Sequence, residues 1–156
     1  MLQWWRLVNW NLGRIDRNIA AFMRQAGPSA LRCSLSVIFI WFGALKPLGL
    51  SPAAALVEST VAWLPFLSPG GWVSIIGWWE VAIGVTFLFH KTIRLAIPLL
   101  ALQMVGTFLP LVALPEMTFQ AGRVPYAPTV EGQYIIKNLL IISAALVVGG
   151  TAREKV

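Results

Sequence analysis

The chain has 156 residues, 58% of them hydrophobic and only 12% charged, with a mean hydropathy of +0.74 and a formal charge of +6. Soluble domains carry nearer a quarter charged residues, so apolar surface on this scale needs lipid as part of its solvent. The single Cys33 excludes an internal disulfide, a CxxC redox pair and a cysteine-rich metal site. The single His90 excludes bis-histidine haem ligation and a histidine metal site within the chain. The basic residues sit at the ends of apolar runs and no nucleic-acid-binding motif accompanies them, so the charge reads as orientation in a membrane and no nucleic-acid partner is expected.

In chain order, residues 1–29 form a Trp- and Arg-rich segment. Trp4, Trp5 and Trp10 suit interface anchors or a surface for another membrane subunit. Residues 13–26 place Ile15, Ile19, Phe22, Met23 and Ala26 at helical spacing against Arg14, Arg17, Asn18, Arg24 and Gln25, which predicts an amphipathic helix on the inner leaflet. Gly27-Pro28 is expected to end it, and Ser29 to cap the first span. No uninterrupted apolar run with a small-residue cleavage site marks the first 27 residues as a cleavable signal peptide.

A transmembrane domain is expected over residues 30–150, with spans at 30–50, 72–89, 93–114 and 134–150 and a tail at 151–156. Each span is about long enough to cross roughly 30 Å of hydrocarbon at 1.5 Å per residue. In the first connection Ser51 and Pro52 predict the start of a short helix over 53–64, with Leu56, Val57, Val61 and Leu64 on one face and a break at 68–71. It is expected to lie on, or dip into, the outer leaflet. The proline-rich loop 115–132 should start a new helix near Thr129. Of the 12 Lys and Arg residues, all but Lys46, Arg123 and Lys137 fall before Cys33, in the 90–94 connection or in the tail. The positive-inside rule then places both termini in the cytoplasm. The expected fold is an all-α integral membrane four-helix bundle, with an N-terminal interfacial helix and a short helix in the first outer connection.

Glu80 is the residue that this scheme must explain. A charge at the centre of a span costs roughly 2.5–3.5 kcal/mol on insertion scales, and a carboxylate cannot snorkel as lysine can. Glu80 should lie about 12 Å below the outer surface, facing the bundle, paired or neutral. Lys46, near the outer end of the first span, and Lys137, one turn into the fourth, are its candidate partners. Either lysine could instead extend to the outer headgroups, and Pro47 favours an end to the first span at Lys46. Gly43, Gly77 and Gly84 suit close helix approach there. Gln103, Gly106, Thr107 and Pro110 form a polar, small stripe on the third span. Asn138 sits beside Lys137 in the fourth, with Glu131, Gln133 and Tyr134 above it. The cluster could serve a register-fixing ion pair, a proton relay or a quinone contact. No catalytic triad, phosphate loop or metal-ligand set is present in the sequence, so no self-contained catalytic motif is assigned.

Three stretches resemble the DoxX-like and YkgB-like families of small bacterial inner-membrane proteins. These are RCSLSVIFIWFGALK, ending at Lys46, IGWWEVAIG around Glu80, and EGQYIIKN, from Glu131 to Asn138. The resemblance spans residues 31–149 and leaves out the chain before Pro28. It implies a four-helix inner-membrane protein with Gly43, Lys46, Gly77, Glu80, Gly132, Lys137 and Asn138 as motif positions. It also implies links to thiosulfate:quinone oxidation, to oxidative or reactive-chlorine stress, and to membrane redox assemblies. With no thiol pair of its own, the chain would need a quinone or a partner subunit for any redox role; a bound lipid is the other ligand expected. Two rival expectations are a small proton- or anion-coupled transporter and a structural anchor for a partner protein.

Overall fold

The computed structural model describes the backbone of residues 2–153 and the side chains of residues 13–152. Trp4, Trp5 and Trp10, and the basic side chains of Arg6, Arg153 and Lys155, lie outside the described side chains. Four long helices carry the fold: α1 (Leu2–Leu45), α3 (Pro69–Leu88), α4 (Ile93–Phe108) and α7 (Val130–Gly150). Three short ones lie in the connections: α2 (Ala54–Val61), α5 (Pro110–Ala113) and α6 (Pro115–Thr118). A single 3-10 turn, His90–Thr92, joins α3 to α4. No strand interrupts this all-α arrangement among the described residues, beyond one isolated bridge between Phe119 and Pro128.

The long helices run up, down, up and down. α1 packs most extensively on α3, α3 on α4, α4 on α7, and α7 back on α1. All four pass the length and hydropathy needed to cross a membrane, the third counted over His90–Ala113. Only 22–28% of their most apolar windows is buried inside the protein. The rest, including Trp41, Trp78, Leu102, Val105, Leu140 and Leu146, faces outward. Such an apolar exterior is unstable in water and is what hydrocarbon solvates.

The amphipathic segment at 13–26 is helical, but no break follows it. α1 runs unbroken through Gly27 and Pro28, so the expected stop, and the cap at Ser29, are corrected. The proline ring fixes φ near the helical value, but it removes the N–H that would bond the Arg24 carbonyl and crowds that carbonyl, at a cost of about 3 kcal/mol that the rest of the helix offsets. Arg24 is exposed, so solvent can satisfy that carbonyl. Ile15, Ile19, Phe22 and Met23 are all exposed along this projecting half of the helix.

The first connection is also revised. Ser51 does not cap α2; its N-cap is Ala53, without a side-chain hydrogen bond. Ser51 only accepts a backbone bond from Ala54 at 3.1 Å. The serine that caps is Ser68, whose hydroxyl accepts from the Gly71 N–H at 3.2 Å, with Pro69 in the first turn. The 68–71 stretch is therefore the start of α3 as well as the end of the preceding loop. α7 begins where the sequence indicates, with the Thr129 hydroxyl accepting from Gly132 N–H at 3.2 Å.

The apolar core lies toward the end of the bundle that holds the His90–Thr92 turn. Leu35 and Phe39 of α1, Ile83 and Phe87 of α3, Ile93, Ala96, Leu100 and Met104 of α4, and Ala145 and Val148 of α7 meet there. The other end is built differently. α1 stops at Leu45, level with Gly77, which lies eight residues into α3, or about 12 Å at 1.5 Å per residue. Beyond that point α2 takes the place of α1 beside α3, and also touches α5. Thr60 and Val61 are the buried side chains of α2.

Candidate functional site

The site forms where α1 ends against the middle of α3. Val73, Gly77, Glu80, Gly84 and Phe87 recur every three or four residues, so α3 turns one narrow face inward. That face is deeply notched. A Cβ on Gly77 would fall 2.7 Å from the Gly43 carbonyl oxygen, and one on Gly84 would fall 2.8 Å from the Ile40 nitrogen. Only glycine allows α1 this close.

Lys46 follows immediately. Pro47 disfavours helical backbone at the residue before it, and α1 ends at Leu45. The chain turns with Lys46 N–H bonded to Gly43 O at 3.2 Å, Gly49 N–H to Lys46 O at 3.1 Å and Leu50 N–H to Leu45 O at 2.9 Å. Irregular backbone at this depth is tolerated where the protein itself satisfies it. The Lys46 ammonium lies at the C-terminal end of α1, where the helix dipole favours a cation. It forms a salt bridge and hydrogen bond with Glu80 Oε2. The other carboxylate oxygen, Oε1, accepts from Gln103 Nε2 of α4 at 2.8 Å. The Lys46 and Glu80 side chains are 8% and 13% exposed. Lys46 thus does not extend to the headgroups. Glu80 ties three helical segments together through both of its oxygens, and the pair is electrically neutral.

Glu80 is also deeper than the sequence suggests. α3 starts at Pro69 rather than at residue 72, which puts Glu80 about 16 Å from the helix start and near the midpoint of its 20 residues.

The remaining predicted positions are not drawn into this cluster. Lys137 is exposed, with its ammonium 5.4 Å from the centre of the Tyr134 ring. Asn138 donates within its own helix, to Tyr134 O at 2.9 Å and Ile135 O at 3.2 Å. Thr107 donates to the Gln103 carbonyl at 3.0 Å, one turn away from the carboxylate. Glu131, Gln133 and Tyr134 are exposed on the first turns of α7. The expected three-membered Lys46–Glu80–Lys137 cluster is therefore replaced by Lys46–Glu80–Gln103. A slip of a turn in α7 explains the difference: it starts at Val130, so Lys137 lies two turns in and on its outward side. Cys33 is exposed, and no group of three His, Cys, Asp or Glu residues that could hold a metal occurs among the described residues.

Beside the cluster lies a groove of about 220 Å³ between α3 and α4, lined by Trp72, Ile75, Ile76, Trp79, Leu102 and Gln103. Its two indoles were not singled out in the sequence, although Trp72 and Trp79 stand seven residues apart, the spacing of two helical turns. The Trp72 indole nitrogen is buried and donates to nothing in the protein. Gln103 is shared: its amide holds Glu80 and its side chain lines the groove. A scan against protein-family models, a search of curated proteins and a search of solved structures each returned no match to this chain.

Proposed function

We propose that the chain is a DoxX- or YkgB-like inner-membrane protein that holds the ring of a quinone in the Trp72–Trp79 groove, next to the Lys46–Glu80–Gln103 cluster. The observation that carries this reading is Gln103, which joins a buried, fully paired carboxylate to an aromatic groove. The lining suits such a group. A cavity of about 150 Å³ lined by apolar side chains takes up benzene, so about 220 Å³ accommodates one substituted ring. It is smaller than the ~300–1,000 Å³ of sites that enclose whole ligands, so an isoprenoid tail would run out along the lipid-facing surface. The Trp72 N–H has no partner in the protein and would serve a ring carbonyl once the indole turns it toward the groove. A quinone bound there would supply the electron and proton carrier that the chain lacks. The protein's own residues would orient the ring by stacking and by the indole N–H, while Gln103 holds the nearby charges as a closed pair.

In this reading the basic residues of the N-terminal segment, the 90–94 connection and the tail face the cytoplasm, and the α2 end faces outward. The chain would act as a small subunit of a membrane redox complex, within the oxidative or reactive-chlorine stress setting that the resemblance implies. The exposed Ile15, Ile19, Phe22 and Met23 stripe favours the subunit role, because nothing among the described residues covers it. The test is purification in mild detergent, followed by solvent extraction and quinone quantification per protein. Quinone near one per chain is expected, falling severalfold in Trp72→Phe, which keeps the ring and removes the donor. A quinone content equal to that of an unrelated four-span protein prepared in parallel would overturn the reading.

A further inference from the structure

A second groove in the bundle lies toward the opposite end from the Lys46–Glu80 pair. It has a volume of about 420 Å³ and runs between the start of α4 and the end of α7, with Arg94, Ile97, Pro98, Leu146, Gly149 and Gly150 among its lining. Its floor is made of missing side chains. A Cβ on Gly149 would touch Ile97 at 3.3 Å, whereas one on Gly150 would meet nothing within 4 Å. The single charge in its lining among the described residues is Arg94, the second residue of α4, which is exposed. The rest of its lining among the described residues is apolar. Ile97 and Pro98 lie one turn deeper, about 5–6 Å at 1.5 Å per residue. A cation at the level of the headgroups, with an apolar trough leading one to two turns inward, has the length order of a phosphate, a glycerol unit and the first carbons of an acyl chain.

We infer that this groove is a binding site for one anionic phospholipid, with its phosphate on the Arg94 guanidinium and an acyl chain laid over Gly149 and Gly150. Charge complementarity chooses the occupant. A planar guanidinium takes two phosphate oxygens at once, which a surface ammonium cannot do. An acyl chain fills a trough that lacks any polar wall to recognise something else. Lys91, also exposed on the connecting turn, is not part of the lining. It would add to general attraction for an anionic leaflet without contributing to the site. The inference does not rest on the quinone reading, whose groove lies toward the other end, between α3 and α4.

The test is native mass spectrometry of the full chain, released from detergent with equal amounts of phosphatidylglycerol and phosphatidylcholine. One phosphatidylglycerol should be retained in preference to phosphatidylcholine. Removing one interfacial charge changes lipid affinity by roughly fivefold, so Arg94→Gln should lower the preference by about that factor, and Lys91→Gln should leave it nearly intact. At Gly150 a Cβ meets nothing within 4 Å, so Gly150→Leu places a side chain in the trough and should displace the lipid while Arg94 stays in place, which keeps the inference testable if Arg94→Gln alters insertion. Equal retention of the two lipids would overturn the site. So would equal losses from Lys91→Gln and Arg94→Gln, or a second copy of the chain occupying the groove, seen as a dimer that Gly150→Leu dissociates.

Discussion

Gly43 and Gly77 stand in reciprocal contact. A methyl on Gly43 would fall 2.8 Å from the Gly77 carbonyl oxygen, and a methyl on Gly77 would fall 2.7 Å from the Gly43 carbonyl oxygen. Both obstacles are backbone, so neither can be relieved by a rotamer change. α1 and α3 would have to separate, which loosens Lys46 from Glu80 one turn away. Gly43→Ala and Gly77→Ala should each destabilise the bundle by about 1–3 kcal/mol, the usual range for overpacking. Gly106→Ala meets nothing within 4 Å and should be neutral or stabilising, because alanine is the better helix former. Thermal unfolding in detergent measures all three; equal shifts would refute the reciprocal contact.

The Lys46–Glu80 pair makes a sharper prediction because both side chains are nearly enclosed. Removing one partner of a buried pair leaves the other uncompensated, typically at about 3–5 kcal/mol. Lys46→Met and Glu80→Gln should each fall in that range. The double variant should cost clearly less than the sum, since it leaves no lone charge. A double-mutant cycle by equilibrium unfolding reads the coupling. Additivity within about 0.5 kcal/mol would mean that the two groups do not sense each other.

Hydrophobic runs and charge distribution made the four helices legible, because lipid demands long, continuous apolar segments and tolerates few alternatives. Glu80 was legible for the same reason: an acid in such a run must find a partner. Its partners were harder to read. Lys46 and Lys137 look alike as lysines near helix ends, yet only Lys46 turns inward, because α1 stops beside Gly77 and brings the next residue to the carboxylate. Where a helix stops in depth depends on what packs beside it, and α2 filling the space beyond Leu45 is a tertiary fact. Pro28 misleads in the other direction. Its local preference is to end a helix, but the 44-residue α1 continues through it. The Trp72–Trp79 groove depends on Leu102 and Gln103 arriving from α4, which no spacing within α3 could announce.

The caps separate Ser68 from Ser51. Ser68→Ala and Thr129→Ala each remove an acceptor for a first-turn N–H, at 3.2 Å in both cases. Ser68→Ala should cost about 1 kcal/mol, the usual loss for an N-cap, and Thr129→Ala more, because its hydroxyl also donates to Met117 O. Ser51→Ala removes no side-chain cap and should stay within about 0.5 kcal/mol of the parent. Denaturant midpoints in mixed micelles test this. A loss at Ser51 as large as that at Ser68 would contradict the assigned helix start.

Lys137 provides the contrast to Lys46. Its ammonium sits over Tyr134 on an exposed face of α7, with no acid beside it among the described residues. Lys137→Gln should leave the unfolding midpoint near that of the parent, while Lys46→Gln lowers it by several degrees. If Lys137→Gln proved as damaging as Lys46→Gln, the fourth helix would have to contribute to the cluster.

Gly132 makes the last prediction, because the loop before α7 is clasped to it. The Thr118 carbonyl accepts from the Thr129 N–H at 2.9 Å, and the Thr129 hydroxyl donates to Met117 O at 2.7 Å. Gly132 is buried against this clasp. A Cβ there would fall on the Thr118 oxygen, well inside contact distance, with Pro128 Cβ also 3.0 Å away. Gly132→Ala must therefore break the Thr118–Thr129 bond or shift the start of α7. The core between Leu35, Ile83, Ile93 and Val148 lies at the far end and should survive. The expected result is an unchanged helical circular-dichroism spectrum with faster protease cleavage at Arg123, the one basic residue in the loop. Gly122 lies in the same loop at a φ of 68°, which side chains other than glycine adopt only under strain. Gly122→Ala should also speed cleavage, but by bending the loop tip while Thr129 stays bonded. Hydrogen exchange at the Thr129 amide distinguishes the two: fast in Gly132→Ala and protected in Gly122→Ala. Protection in both would refute the clasp.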